Sequence, residues 1–278
     1  MIAITNASVF KGSELLTDQV VLIVDGKIGA IGTALDIEGY QIVDAASGYV
    51  VPGFADLQIY GSGGNLFSAC PSKETLKQMD ADLIAKGTTA FLACVATNSA
   101  EVMHEAIAAA KAYREEAKGF LGLHLEGPYL NPKRLGAHIP EYVCKASLDE
   151  VKRLMEHADG TVKMMTLAAE LQDDEVICYL LDQGVILSLG HSDASFEEAR
   201  EAYKKGFKTT THLFNAMPSI HHRSPNLPTA VLNHPTAMAS IIADGAHVDF
   251  EVIKMSYKLM GERLFLITDA VTPCNIGP

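Results

Sequence analysis

The rhythm of apolar and polar positions changes near residue 52. Before that point the chain alternates. IAITNASVF, residues 2–10, follows the period-two spacing of a strand with one buried face. VVLIVDGKIGAIG holds two apolar runs around Asp25-Gly26, a dipeptide suited to the positive φ angles of a two-residue hairpin. QIVDAASGYVVPG adds another strand and closes on Pro52-Gly53. The pattern predicts a small antiparallel sheet over residues 1–52, too small to be stable alone.

From Phe54 short apolar runs alternate with amphipathic segments. The runs lie near FADLQIYG, TTAFLACVAT, GFLGLHLEG, VKMMTLAAE, GVILSLGHS, KTTTHLFNA, ASIIADGAH and LFLITDA. Capping-box spacing marks helix starts at Asn98 to Glu101, Ser147 to Glu150 and Ser195 to Glu198. Eight strands alternating with helices predict an α/β fold, a (β/α)8 TIM-like barrel over residues 53–278.

Composition narrows the partners. The chain has 278 residues, and 22 basic against 34 acidic residues give a net charge of −12. Nucleic acid or an anionic membrane as main partner would need a basic surface. A small anionic substrate needs only a local basic cluster. Cys70, Cys94, Cys144, Cys178 and Cys274 are scattered without CxxC spacing, so buried reduced thiols are expected rather than a disulfide framework. MIAITNASVF lacks the features of a signal peptide, and no apolar run suits a membrane span. A cytoplasmic location is expected.

In such a barrel the chemistry sits at the C-terminal ends of the strands. Those ends read Asp56-Leu57-Gln58, Thr97-Asn98, His124-Leu125-Glu126, Gly190-His191-Ser192, Thr211-His212 with Asn215, Asp244-Gly245 with His247, and Thr268-Asp269. Carboxylate and neutral imidazole are ordinary ligands for a divalent first-row metal. Glu126, His191 and His212 supply the three protein ligands of a catalytic site, and Asp269 remains as a candidate base. His124 shares the strand face of Glu126 and is expected to be a core or supporting residue. His104, His157 and His234 read as surface residues. Gly61-Ser62-Gly63-Gly64 lacks the GxGxxG pattern and reads as a flexible loop. His221-His222-Arg223 is a basic cluster in an acidic chain. It reads equally as a solvated loop or as an anion site, since a guanidinium fork suits phosphate.

HLEGP, GHSDAS, THLFNAM, ADGAHVD and TDA, in this order and spacing, resemble the N-acetylglucosamine-6-phosphate deacetylase family of the amidohydrolase superfamily. The resemblance runs from the N-terminal strands to about residue 275. It implies a barrel with a small β-sandwich built from both chain termini, residues 1–52 forming its N-terminal part. It implies a divalent metal, expected to be Zn2+ with Fe2+ or Co2+ as alternatives, and a homodimer. By motif matching Glu126, His191 and His212 resemble the metal ligands and Asp269 the catalytic aspartate. His138, Asn215, Ala216, Arg223 and His247 match substrate-contacting positions. His138 would donate to the carbonyl oxygen, and Arg223 would reach the phosphate in the neighbouring subunit's site. The implied reaction converts N-acetyl-D-glucosamine 6-phosphate to D-glucosamine 6-phosphate and acetate, in amino-sugar catabolism. Another amidohydrolase acting on a different N-acyl or cyclic amide is the alternative, as is an inactive sugar-phosphate-binding fragment.

Two departures qualify the resemblance. Many amidohydrolases carry His-x-His at the end of strand 1, supporting a second metal, where this chain is read as Asp56-Leu57-Gln58. One metal is therefore expected, and some family members share the glutamine. The family also continues beyond the TDA motif, so the returning half of the sandwich and the last barrel helix are expected to be absent from this chain.

Overall fold

A computed structural model describes residues 1–271, and the chain divides into two compact units, Met1–Phe54 and the segment from Ala55 onward. Cys274 lies outside the described residues. The first unit is a five-stranded sheet. Its strands are β1 (Ile2–Lys11), β2 (Glu14–Val24), β3 (Lys27–Gly32), β4 (Gln41–Asp44) and β5 (Tyr49–Val50). Asp25 and Gly26 take φ of 50° and 73° in the turn between β2 and β3, as the hairpin reading requires.

The sheet is mixed rather than antiparallel. β1 pairs antiparallel with β2, but β4 and β5 both run parallel to β1. The connection after β3 carries the chain to the far edge of the sheet, where Gln41 pairs beside Ile2. Hairpin signals describe only neighbours in sequence, so they miss this crossover. Ala7, Val9 and Val21 form the unit's small buried cluster.

The second unit is the barrel. Its strands are β6 (Phe54–Ile59), β9 (Thr88–Ala96), β10 (Phe120–Glu126), β11 (Val162–Leu167), β12 (Ile186–Leu189), β13 (Thr209–Thr210), β14 (Met238–Ile242) and β15 (Leu264–Ile267), hydrogen-bonded in that order. The register pairs from β9 through β15 are parallel. Ile59 bridges Ala270, and Asp269 N–H donates to the Gln58 carbonyl at 3.0 Å, so the first and last strands meet. Between the strands lie α1 (Lys73–Ala85), α2 (Ala100–Tyr113), α3 (Leu148–Ala158), α4 (Asp174–Asp182), α5 (Phe196–Lys205), α6 (Asn226–Leu232) and α7 (Phe250–Met260). β10 is buried at every position but Leu121, the mark of a parallel strand covered on both faces.

Local signals differ in outcome. Ser195 and Glu198 form a full capping box at α5. Ser147 caps α3 through its hydroxyl. The expected Asn98–Glu101 box does not form. Helix α2 begins one residue later, with Ser99 accepting from Val102 N–H and Asn98 bonded to Ser99 N–H. The glycine run is not an open loop. Gly61–Ser62 (β7) and Asn65–Leu66 (β8) pair as a tight hairpin, with Gly63 and Gly64 at positive φ, and the Ser62 hydroxyl donates to Asp82 on α1. The cysteines are free among the described residues, but only Cys94 is buried; Cys70, Cys144 and Cys178 are exposed. Cys70 and Cys144 lie in connections, and Cys178 is on an exposed position of α4.

Asp80 on α1 is 1% exposed. Its carboxylate accepts from the Tyr113 hydroxyl at 2.7 Å, Lys118 N–H at 2.8 Å and Gly119 N–H at 2.9 Å, tying α1 to the entry of β10. Asp80→Ala strands three donors, two of them buried, and should cost about 3 kcal/mol in chemical unfolding. Ser195→Ala removes only a surface cap and should cost about 1 kcal/mol in the same measurement.

Candidate functional site

Glu126 ends β10 and is 2% exposed. Its neighbours on the chain fix how it gets there. Gly127 has φ of 91°, and a Cβ at that position would meet the Thr97 hydroxyl at 2.1 Å. Only glycine lets the chain turn out of the barrel this closely. His191, His212 and Asp269 follow their strands at φ of 46°, 32° and 54°. Non-glycine residues in this left-handed region cost roughly 1–3 kcal/mol each, and such outliers cluster at functional sites.

Three side chains converge. Glu126 Oε1 lies 3.0 Å from His212 Nε2 and 3.3 Å from His191 Nε2, and the two ring nitrogens are 3.0 Å apart. His191 Nδ1 donates to the Arg134 carbonyl at 2.8 Å, which leaves its Nε2 lone pair facing the other two atoms. Two imidazole nitrogens and a carboxylate oxygen this close need a proton or a cation between them. Zn–N bonds of about 2.0–2.1 Å in a tetrahedral site require ligand–ligand edges of about 3.3 Å, close to this triangle. Glu126, His191 and His212 therefore have the donor types and spacing to hold a divalent metal.

The electrostatics agree. Burial pushes the Glu126 carboxyl up, but hydrogen bonds with His138, His191 and His212 outweigh it and hold it well below the usual carboxylate range. Burial lowers His191. Burial also opposes charge on His212, yet the bond to Glu126 and its negative charge prevail and raise it. His212 Nδ1 is buried without a partner among the described residues.

His138 is also brought in. Thr97 N–H donates to its Nδ1 at 3.2 Å, so the ring hydrogen belongs on Nε2, which lies 3.2 Å from Glu126 Oε2. His124 stays out of the triangle as expected. It is fully buried between the Leu57 carbonyl at 3.0 Å and the Thr166 hydroxyl at 2.7 Å, and burial brings its pKa down to about 4.

Strand β6 alters the sequence reading. The pair facing Glu126 is Gln58 and Tyr60, not Asp56 and Gln58. Gln58 Nε2 donates to Glu126 Oε1 at 2.9 Å and to Asp269 Oδ1 at 2.8 Å, and the Tyr60 hydroxyl donates to Glu126 Oε2. Asp56 instead accepts from the Thr268 hydroxyl and from Gln58 N–H, and supports no histidine. Two-residue alternation from Gln58 would have found Tyr60.

Among the described residues, the remaining expected residues make no hydrogen bond to the three converging side chains, although Asn215 N–H donates to the His212 carbonyl at 2.9 Å. Asn215 Nδ2, after β13, is buried without a partner among the described residues. Ala216 beside it has φ of 49°. Arg223 is exposed on the same connection and forms no ion pair among the described residues. His247 after β14 is exposed, and Asp244 accepts from its Nδ1 at 2.7 Å; that bond and two backbone N–H groups draw Asp244 down to about 2. The His104 and His157 rings lie 4.9 Å apart, tilted by 58°, beside a cavity of about 600 Å³ between α2 and α3.

Burial, reinforced by the Glu126 charge, raises Asp269 to about 6. A carboxyl whose pKa is higher folded than unfolded is penalised once ionised in both states. Its penalty is complete above pH 6 and is relieved as pH falls through about 6 toward 3.8. In chelator-treated protein, Asp269→Asn should therefore raise the unfolding temperature at pH 7. The gain should shrink at pH 4.

Residues 49–271 match the amidohydrolase family. N-acetylglucosamine-6-phosphate deacetylase of Bacillus subtilis is 33% identical over 279 residues, covering 96% of this chain and 70% of that protein. N-acetylgalactosamine-6-phosphate deacetylase of Shewanella is 36% identical over 229 residues, covering 82% and 58%. The crystal structure of N-acetylglucosamine-6-phosphate deacetylase from Pasteurella multocida superposes with a TM-score of 0.92 at 35% identity, covering 97% of this chain and 72% of that one. The chain belongs to the amidohydrolase family.

Proposed function

We propose that this chain hydrolyses the N-acetyl group of N-acetyl-D-glucosamine 6-phosphate, giving D-glucosamine 6-phosphate and acetate in amino-sugar catabolism. The carrying observation is the triangle of Glu126 Oε1, His191 Nε2 and His212 Nε2, with Asp269 held beside it through Gln58. The names of the relatives support the substrate class. Residues 1–52 are proposed as the N-terminal part of a small β-sandwich domain and 53–278 as the metal-dependent barrel.

Glu126, His191 and His212 would hold one divalent ion, Zn2+ by preference. Bound there, the ion would lower the pKa of a water to about 7 and polarise the acyl carbonyl. Asp269 takes the proton of the attacking water on its carboxylate and passes it to the departing nitrogen. Gln58 Nε2 bridges Asp269 and Glu126 and keeps the two carboxylates in fixed relation. His138 carries its hydrogen on Nε2 and donates it to the carbonyl oxygen as charge grows there. Asn215, with an uncommitted buried amide, and His247, oriented by Asp244, would hold the sugar phosphate with the backbone at Ala216. Arg223, exposed and without an acidic partner among the described residues, would reach the phosphate in the other subunit of a homodimer. Free thiols at Cys70, Cys94, Cys144 and Cys178 suit a cytoplasmic location. No helix among the described residues is long and apolar enough to cross a membrane.

Acetate release should be far faster from N-acetylglucosamine 6-phosphate than from N-acetylglucosamine, and equal rates would overturn the assignment. Running N-acetylgalactosamine 6-phosphate in parallel decides between the two sugar epimers. Asp269→Asn should retain the metal and lose about 10²–10⁴-fold in kcat. His138→Ala should lose about 10²–10³-fold. Metal content by elemental analysis and steady-state kinetics check both.

A further inference from the structure

The two oxygens of Glu126 have different surroundings. Oε1 faces His191 Nε2 and His212 Nε2 and accepts from Gln58 Nε2. Oε2 accepts from the Tyr60 hydroxyl and lies 3.2 Å from His138 Nε2. The Tyr60 hydroxyl also lies 3.2 Å from Gln58 Nε2, whose two hydrogens go to Glu126 and Asp269. Tyr60 is 8% exposed, and its N–H donates to the Ala270 carbonyl at 2.9 Å where the barrel closes. Its backbone is therefore held at the barrel seam, independently of the carboxylate it meets, and the buried ring has little room to move. A carboxylate turns about its last bond in a broad, roughly twofold well and could offer either oxygen, or both, to an ion. A rigid donor on one oxygen removes that freedom.

We propose that Tyr60 is a positioning residue of the metal site: its hydroxyl holds Oε2, so that Glu126 presents Oε1 alone to the ion shared with His191 and His212. This rests on the ligand assignment made under the proposed function. Tyr60 acts only through Glu126. Hydrogen bonds that orient a ligand in this way typically carry about 10–100-fold in metal affinity or activity.

Zinc affinity measured by chelator competition tests this in wild type, Tyr60→Phe, Glu126→Gln and the double variant. Tyr60→Phe keeps the ring and should weaken zinc binding about 10–100-fold. In the Glu126→Gln background the same change should add little, which a general structural defect would not reproduce. X-ray absorption on zinc-loaded wild-type protein gives an independent reading, with Glu126 expected to bind through one oxygen. Unchanged affinity in Tyr60→Phe, equal losses in both backgrounds, or two-oxygen binding by Glu126 would overturn the proposal alone. Wild-type protein that takes up no zinc would overturn the ligand assignment and this proposal with it.

Discussion

The buried charge of Glu126 sets the terms for everything around it. Removing a carboxylate from water costs several kcal/mol even after the protein relaxes. Here that cost is met by Gln58, Tyr60, His138, His191 and His212, which surround its two oxygens. These groups come from β6, from the loop after β10 and from the exits of β12 and β13. A site assembled from so many elements exists only while the barrel is closed. Burial together with the same charge raises Asp269, and the bond to Glu126 with that charge raises His212 against burial.

Closure and chemistry share residues. Asp56 ties β6 to Thr268, and Gln58 accepts from Asp269 N–H through its carbonyl while its side chain holds the Asp269 carboxylate. The seam between first and last strands is therefore also the wall of the site. The left-handed turns at His191, His212 and Asp269 bend each chain at the strand exit. Their strain is sustained because the flanking strands are hydrogen-bonded on both sides. The Tyr60 ring and the Thr97 backbone contribute nothing reactive, yet they decide which oxygen and which ring nitrogen face the centre.

Period-two alternation and the Asp25-Gly26 turn announce the first three strands, and eight apolar runs with helices between them announce the barrel. Ligand types recurring at strand ends announce Glu126, His191, His212 and Asp269. These features are local, or repeat one local rule, so the sequence carries them. The capping spacing at Asn98 misled because neighbouring Ser99 offers an equivalent hydroxyl, and local spacing cannot choose between two adjacent caps. The cysteines misled because two of them, Cys70 and Cys144, fall in surface connections and Cys178 on an exposed helix position, placements that composition does not encode.

The sequence by itself determined the element order, the barrel and the identity of the converging carboxylate and imidazoles. Periodicity and residue chemistry act over a few positions, and a parallel barrel repeats them predictably. Tertiary structure alone decided that β4 and β5 run parallel to β1, that Asp56 serves the seam, and that Tyr60 faces Glu126 across a separation of 66 residues. Such pairings depend on strand register and on closure of the sheet. They set distances between side chains that are far apart in the chain, and no local pattern encodes them.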